Sequence, residues 1–364
     1  MLATGTSHVL CEREQCPTVN GAQVAIRANG SVLIASEQGI VTFDSSGTKQ
    51  TLARTGSGPG ELRFALALGV DRLDRVLAFD IGNGRQSRWA TDTSPAHVGT
   101  MPPRTMLSLN ARAGILHAVL LPPAAARGDT VLAAVVRHEF DSVSTWTDTV
   151  ARVRAPALFV VGSEGMFPPS VPWEWGLRWD VCGNGDVLLA ANDRWQIQRM
   201  VRGAPVAATA GRHLVPRPVT DADRAALASR PFMRTAPPAY REALRAELVQ
   251  GPTVHPVIMD LHCGQRGDAW IEEPVTADSS VLRRLDRDGR LTGSVALPRA
   301  TRVMAIREPW VVGLETSADD ELRVVRLTID TTARRQGAPP PHRPAVNRLG
   351  ATSAHPSSSS SRTN

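Results

Sequence analysis

The chain of 364 residues is 42% hydrophobic and holds 29 glycines and 27 prolines, a composition that favours many short elements over a few long ones. The formal net charge of +6 falls to +1 without residues 331–364, which carry five arginines and no acid. Nucleic-acid binding is therefore not expected, because a groove binder needs clustered charge on one side. No run of 18 apolar residues occurs, so the sequence predicts no membrane span.

The N-terminal segment, residues 1–21, has neither the basic start nor the long apolar stretch of a signal peptide. Without such a signal the localisation stays open: either the protein is cytoplasmic, or the true start of its reading frame lies upstream. Cys11 and Cys16 are close enough in sequence to close a small disulfide loop in an oxidising compartment. The segment can also supply a closing strand to the last of the repeats that follow.

From residue 22 to residue 330 the chain repeats one unit, in which short apolar strands alternate with tight polar turns. In the first unit Asn29-Gly30 joins two alternating runs, a direct hairpin signal. Six units are recognised, at 22–54, 66–100, 106–153, 175–211, 257–297 and 302–329. Each unit alone leaves a sheet face exposed, and radial stacking buries both faces. The period of about 30–50 residues therefore predicts an all-β, six-bladed β-propeller.

Two predicted helices interrupt the repeats at about 219–250. Thr220 or Asp221 can cap the first helix, and Pro237 opens the second, in which Leu244 and Leu248 share one face. We expect this insertion on one face of the disc, where it either lines a binding surface or passively covers an edge. Residues 331–364, rich in proline, serine and arginine, are predicted to be a disordered tail.

The segment from residue 54 to residue 89 resembles an NHL repeat. The glycine-rich lead-in of that pattern is matched by Gly56, Gly58, Pro59, Gly60 and Glu61. The two acids at strand ends are matched by Asp71 and Asp80, and the closing elements by Asn83, Arg85 and Trp89. Leu62 departs from the usual aromatic residue, Asp74 from the turn glycine and Ala65 from the proline before the first strand. The match covers one unit, with eroded copies elsewhere.

The resemblance implies a divergent six-bladed propeller of the kind found in environmental bacteria, where such proteins are often secreted and seldom have a definite activity attached. It supports the fold more than the function. On physical grounds the lead-in glycines suit a tight crossover between blades. We expect Asp80, Asn83 and Arg85 to hydrogen-bond loop backbone within the blade.

Sequence motifs for catalysis are absent: the chain has no GxSxG elbow, no HExxH and no complete P-loop. We therefore predict no catalytic residue and no cofactor, although a divalent cation in the central channel stays open because blades can supply its ligands without a local motif. Cys182 and Cys263 lack the CxxC spacing of a zinc site, and we expect buried or free thiols there. His255 and His262 are separated by an odd number of positions, which on a strand argues against a shared metal.

Tryptophans are concentrated near the fourth unit. Trp173 and Trp175 follow prolines in a predicted loop and are the candidate ligand-facing residues, because exposed tryptophan stacks on sugars or cations. Trp195 and Trp270 lie in strand-like runs and are predicted to be core residues.

Two functions follow from these observations. The first is a monomeric, non-catalytic binding or scaffold propeller that presents one face to a protein, peptide or glycan. The second is a propeller enzyme, a metal-dependent lactonase-like hydrolase or a lyase, with its site at the channel mouth. The lack of catalytic motifs favours the first, and a cation held by several inward-pointing side chains would favour the second.

Overall fold

The structure is a computed structural model and describes most of the repeat region. The residues it describes are 3–12, 24–36, 38–71, 73–80, 82–90, 95–100, 108–112, 115–120, 130–139, 148–156, 173, 176–191, 193–201, 204–208, 214–229, 238–276, 279–297, 301–316 and 322–330. The predicted tail, 331–364, lies outside them.

The described residues form strands and two helices. The first strands are β1 (Ala3–Glu12), β2 (Val24–Ile26), β3 (Val32–Ser36), β4 (Gly39–Phe43), β5 (Lys49–Arg54), β6 (Ala65–Val70), β7 (Val76–Asp80), β8 (Arg85–Trp89), β9 (Pro95–Thr100), β10 (Ser108–Arg112), β11 (Ile115–Leu120), β12 (Thr130–Glu139) and β13 (Asp148–Pro156). The later strands are β14 (Leu177–Val181), β15 (Val187–Ala191), β16 (Ile197–Val201), β17 (Ala204–Ala208), β18 (Asp260–Cys263), β19 (Ala269–Thr276), β20 (Ser279–Leu285), β21 (Leu291–Ala296), β22 (Thr301–Arg307), β23 (Trp310–Thr316) and β24 (Leu322–Asp330). The helices are α1 (Asp221–Ala228) and α2 (Pro238–Gln250).

These strands make six four-stranded antiparallel sheets. Five sheets use four consecutive strands each: sheet 1 is β2–β5, sheet 2 is β6–β9, sheet 3 is β10–β13, sheet 4 is β14–β17 and sheet 5 is β18–β21. Sheet 6 has the order β1-β24-β23-β22, so its outer strand comes from the N-terminal segment.

The first strand of each sheet contacts the first strand of the next, from β2 through β6, β10, β14 and β18 to β22, and β22 contacts β2 again. The contacts therefore close a ring, with the sheets radiating outward from it. This all-β arrangement, with two short helices, is that of a β-propeller.

The apolar core lies between neighbouring sheets rather than at one centre. One cluster joins sheets 6 and 1 around Phe43, a second joins sheets 1 and 2 around Trp89, a third joins sheets 4 and 5, and a fourth joins sheets 5 and 6 around Trp270. Trp195 packs in the third cluster, so the core positions predicted for Trp195 and Trp270 are confirmed. Sheets 1, 5 and 6 thus bury apolar residues on both of their faces.

Tight turns give the strands their register. In sheet 1 the amide of Gly30 donates to the carbonyl of Arg27 at 3.0 Å, and Asn29 Oδ1 accepts from the amide of Ser31 at 3.0 Å. Gly30 has φ of 84°, a left-handed conformation that a Cβ atom disfavours. The Asn-Gly signal in the sequence corresponds to this turn.

The strand β1 completes the ring by pairing antiparallel with β24, from Ala3 opposite Asp330 to Glu12 opposite Arg323. Leu10 and Cys11 of β1 are buried in the cluster between sheets 6 and 1. The first and last described strands of the chain are therefore neighbours.

The fold corrects the expectation for two cysteines. Cys182 and Cys263 are not thiols but form a disulfide with their Cα atoms 4.9 Å apart, although they are 81 residues apart in sequence. Each follows or ends the first strand of its sheet, β14 in sheet 4 and β18 in sheet 5, so the ring brings them side by side. Cys11 is disulfide-bonded as well, and Cys16 lies outside the described residues.

The two faces of the disc carry different connections. Because the strands of a sheet alternate in direction, the turns after the first and third strands lie at one end, which we call the turn face. The opposite end, the insertion face, carries the crossovers between sheets and the segment with α1 and α2.

On the turn face, arginine side chains connect neighbouring sheets through ion pairs and hydrogen bonds. Arg199 of sheet 4 pairs with Asp186 at 3.1 Å and donates to the carbonyl of Gly267 in sheet 5. Arg284 of sheet 5 pairs with Asp268 and reaches Glu308 of sheet 6 at 3.2 Å. Each pair holds two adjacent turns in a fixed position.

Arg307 hydrogen-bonds groups of three other sheets at the turn face. Its Nη1 donates to the carbonyl of Ile26 in sheet 1 at 3.0 Å and to Asp74 Oδ1 of sheet 2 at 3.2 Å, and the amide oxygen of Gln265 in sheet 5 accepts from its Nε at 2.6 Å. Sheets 2 and 5 are not neighbours of each other in the ring. A guanidinium bonded to both therefore lies near the axis of the ring.

Asp74 is an acceptor that joins sheet 1 to this hydrogen-bond network. Its Oδ1 accepts from the amide of Ala28 at 2.8 Å, and its Oδ2 accepts from Arg27 Nε at 3.3 Å. Its φ of 61° is the only positive value for a non-glycine among the described residues. The left-handed conformation explains why the NHL pattern has glycine here, and the carboxylate contacts offset its cost.

We expect Asp74→Ala to lower the free energy of unfolding by about 3 kcal/mol, because the left-handed backbone persists without its compensating hydrogen bonds. Asp74→Asn is the matched control: it tolerates the same backbone and keeps an acceptor for Ala28, so its loss should be about 1 kcal/mol. Urea denaturation of both variants measures this difference. Equal stability of Asp74→Ala and the wild type would contradict it.

Candidate functional site

The insertion is tied to the disc by a short two-stranded bridge. Pro218 pairs antiparallel with Val254, the amide of Val219 donates to the carbonyl of Thr253 at 2.8 Å, and the amide of His255 donates to the carbonyl of Arg217 at 2.7 Å. The segment that leads into α1 is therefore paired with the segment that follows α2, and this pairing fixes the base of the insertion.

Thr220, one of the two predicted caps, is the N-cap of α1 and forms a capping box. Thr220 Oγ1 accepts from the amide of Asp223 at 3.2 Å, and Asp223 Oδ2 accepts from the amide of Thr220 at 2.8 Å. Arg217 adds a bidentate pair to the same carboxylate, with both N···O distances 3.0 Å. The hydrogen bond from Arg217 holds the pKa of Asp223 well below its usual value.

His255 lies against this ion pair. Its Nε2 accepts from Arg217 Nη2, because arginine has only donors, and is 3.3 Å from Asp223 Oδ2. Burial lowers the pKa of His255, and Asp223 opposes that effect only in part. The ring is therefore expected to be neutral at physiological pH.

The structure corrects the expected exposure of Trp173. The residue is 3% exposed and packs with Leu227 of α1 and with Leu244 and Leu248 of α2. The helices therefore cover the indole, although prolines precede Trp173 in the sequence. Trp175, the other tryptophan predicted to face a ligand, lies outside the described residues.

Two buried donors at this place have no partner. Neither Trp173 Nε1 nor Arg217 Nε makes a hydrogen bond, although both atoms are shielded from solvent. His255 lies between the two groups, with its ring centroid 5.8 Å from that of Trp173 and its Nε2 bonded to Arg217. A buried N–H without an acceptor is costly, and in a native protein it calls for an explanation.

Arg224 adds positive charge to the same place. Its guanidinium lies 5.9 Å from the Trp173 ring centroid and donates to the carbonyls of Leu248 and Pro252. No carboxylate of the described residues forms an ion pair with it. We call Trp173, Arg217, Arg224 and His255 the insertion-base cluster; Asp223 neutralises one of its two arginines.

The NHL-like residues lie apart from this cluster and contact backbone. Asp80 accepts from the amides of Arg63 and Phe64 at 3.0 and 2.8 Å, Asn83 Nδ2 donates to the carbonyl of Gly56 at 2.9 Å, and Arg85 donates to the carbonyl of Gly58 at 2.7 Å.

The remaining NHL-like residues shape the crossover before β6, stabilise the turn after β6 or fill the core. Glu61 accepts from the amide of Gly58 at 2.7 Å, Asp71 accepts from the amide of Arg75 at 2.9 Å, and Trp89 is 1% exposed. Gly60 has a left-handed φ of 78° in this crossover, and Pro59 precedes it. Glu61 and Gly60 thus belong to the crossover, whereas Asp71 stabilises the turn between β6 and β7 on the opposite face.

A second polar group lies in the wall formed by sheet 5. Asp260 is opposite Glu272 in the register of β18 and β19, and His262 is two positions further along β18 on the same side. Glu272 is 4% exposed and accepts from Ser280 Oγ at 3.0 Å and from the amide of Val303 in sheet 6 at 3.2 Å. Burial, and then repulsion from Asp260, raise the pKa of Glu272 to about 7.

Sequence reasoning missed both groups. Their members lie far apart in the sequence: Trp173 and His255 are 82 residues apart. No local motif joins them. The described residues hold no group of three or more His, Cys, Asp or Glu placed to bind a metal. Nor do they include a helix of sufficient length and apolar character to cross a membrane.

Comparison with known proteins agrees with the fold. No family model matches the sequence, and no curated protein matches it. A member of the DUF4221 family from Bacteroides vulgatus shares 10% identity and a TM-score of 0.50, over 90% of this chain and 98% of that chain.

Two enzymes overlap more loosely. A gluconolactonase from Xanthomonas campestris has 13% identity and a TM-score of 0.44, over 89% of both chains. A virginiamycin B lyase from Staphylococcus aureus has 9% identity and a TM-score of 0.40, over 89% of this chain and 98% of that chain. Neither overlap bears on the activity of this chain, which its own ring of sheets identifies as a divergent β-propeller.

Proposed function

We propose that this protein is an extracytoplasmic, six-bladed, NHL-like propeller that binds a protein, peptide or glycan on its insertion face without catalysing a reaction. Each of the six sheets is one blade, and residues 22–330 with the closing strand form the domain. One observation carries the choice of face: on the insertion face the described residues leave large apolar side chains exposed, two of them in the insertion itself.

Four such side chains lie on that face by topology. Phe64 precedes β6, Val275 is near the end of β19, and Val215 and Val249 belong to the insertion, with 84% and 81% of their surface exposed. The turn face offers Leu73 and Leu291, but several of its charged side chains form ion pairs, and Arg307 is bonded to Ile26 and Asp74 there. Exposed apolar residues with a polar surround are typical of interaction surfaces.

The disulfides support an extracytoplasmic location. Cys182 and Cys263 are bonded, and Cys11 is bonded too. Stable disulfides form in oxidising compartments and are rare in the cytoplasm. This favours export over the cytoplasmic alternative.

The proposal is tested by placing charges on the insertion face. Peptide and glycan arrays with the wild type should return ligands, and the Val215→Asp, Val249→Asp double variant should bind them at least about tenfold more weakly. The loss is expected because two carboxylates would have to be desolvated in the bound state.

Leu73→Asp is the matched control, since Leu73 is 73% exposed on the opposite face. It should bind like the wild type. Arrays without any ligand, or an equal loss in both variants, would overturn the proposed face and function.

A propeller enzyme is the second candidate, and Glu272 is the observation in its favour. A buried carboxyl group whose pKa is raised to about 7, with Asp260 and His262 on the same side of the sheet, has the character of a general acid or base. Two measurements would separate this candidate from simple binding. The first is the metal content of the purified protein, together with its Tm with and without a chelator. The second is the activity of the wild type and of Glu272→Gln on a panel of lactones and esters.

A further inference from the structure

We infer that the insertion-base cluster is a binding site for a carboxylate, held beneath the two helices. This deepens the proposed function, because it gives the binding activity a second, specific contact with defined chemistry. The juxtaposition that carries it is a buried indole N–H and a buried arginine Nε–H, both without acceptors, beside Arg224, which forms no ion pair within the described part of the chain.

The donors define what fits. Trp173 Nε1 and Arg217 Nε can only donate, so a ligand must bring acceptor atoms. Trp173 is 3% exposed, and its unsatisfied N–H therefore has no bulk solvent to bond. A carboxylate has two acceptor oxygens and can serve two donors at once.

The charge of the cluster favours an anion over a neutral acceptor. Arg217 is neutralised by Asp223 through a bidentate pair, and His255 is neutral because burial lowers its pKa. Arg224 keeps its charge, since its partners are the carbonyls of Leu248 and Pro252. The cluster therefore carries one net positive charge in a shielded place, where a single negative charge is best stabilised.

The helices make the site dependent on the insertion. Leu227, Leu244 and Leu248 pack against the indole, and Arg224 reaches from α1 to the C-terminal end of α2. A bound carboxylate would join α1, through Arg224, to the base of the insertion, through Arg217. We therefore expect binding to order the helices relative to the disc.

Selective labelling gives a direct test. Protein labelled with ¹⁵N-tryptophan has eight indole N–H signals, and the signal missing in Trp173→Phe belongs to Trp173. In the wild type, sodium acetate should shift that signal saturably at an ionic strength fixed with sodium chloride. Arg224→Gln should weaken acetate binding by about tenfold, because a charge-assisted hydrogen bond is lost.

Arg245→Gln controls for the loss of one exposed arginine on α2 and should bind acetate like the wild type. N-Acetylalanine, a mimic of a peptide carboxyl terminus, identifies the source: tighter binding than acetate assigns the site to a peptide end, and binding of acetate alone assigns it to a small acid. A Trp173 signal that responds to acetate no more than to chloride would overturn the inference, as would an equal response in Arg224→Gln. Array ligands that bind the wild type and Trp173→Phe equally would leave the insertion-face proposal standing while removing this site from it.

Discussion

The Cys182→Ala, Cys263→Ala double variant is expected to unfold about 6 °C below the wild type. The bond joins residues 81 positions apart, and its removal returns about 4.5 kcal/mol of conformational freedom to the unfolded chain. The entropy of unfolding typical of a chain of this length converts that loss into the shift in Tm. Differential scanning calorimetry measures it.

The single variants provide the control for this effect. Cys182→Ala and Cys263→Ala each break the same bond, so each should lose nearly as much stability as the double variant. Cys182 and Cys263 are both fully buried, and the small cavities left by alanine add little to the difference. A Tm unchanged to within about 1 °C would show that the bond does not constrain the unfolded chain.

Glu272→Gln is expected to stabilise the protein at neutral and alkaline pH. Burial raises the pKa of Glu272 to about 7 from a usual value of 4.5, so the folded chain holds this proton more tightly than the unfolded chain does. The contribution of Glu272 to stability is therefore fully present below about pH 4.5 and is lost as the pH rises to about 7. A shift of this size corresponds to about 3 kcal/mol.

The amide of the variant stays neutral at every pH and can still accept from the amide of Val303. Urea denaturation from pH 5 to pH 8 should thus show an advantage of the variant that grows with pH and reaches about 3 kcal/mol. Glu242→Gln, which removes an exposed carboxylate from α2, is the control and should follow the wild type. Parallel pH profiles for Glu272→Gln and the wild type would contradict a raised pKa.

Local signals in the sequence identified much of the fold. The Asn29-Gly30 turn, the capping residue Thr220 and the helical spacing of Leu244 and Leu248 each involve residues within a few positions of one another. Such signals predict hairpins and helices, and the regular spacing of hairpins predicts a ring of sheets. A closed ring also suggests that the N-terminal segment supplies a strand to the last sheet, but it does not specify the register of β1 on β24.

Contacts between distant segments could not be identified in the same way. Trp173 is buried by Leu227 and by α2, and nothing in its own neighbourhood in the sequence specifies that cover. Arg307 of sheet 6 meets Asp74 of sheet 2 past the intervening sheet 1, and only the assembled fold brings them together. The departure of Asp74 from the NHL pattern marked the position without showing its role.

The disulfide did leave a signal. Cys182 and Cys263 occupy the same place in consecutive recognisable hairpins, each followed by Gly and then, within a few positions, by Gly-Asp. Aligning the fourth and fifth repeats would have placed the two sulfur atoms side by side, since equivalent positions of neighbouring blades are adjacent in space. Treating each cysteine separately led to the prediction of thiols.

The pairing of β1 with β24 has a consequence for synthesis. β1 leaves the ribosome early, and its partner is the last described strand to emerge. Until then Leu10 and Cys11 lack their native cover, and sheet 6 is missing its third strand. Nascent chains stalled before residue 322 should therefore bind a hydrophobic dye or a chaperone through β1, and release of the complete chain should end that binding. Export before folding would delay ring closure to the oxidising compartment in which Cys182 and Cys263 pair.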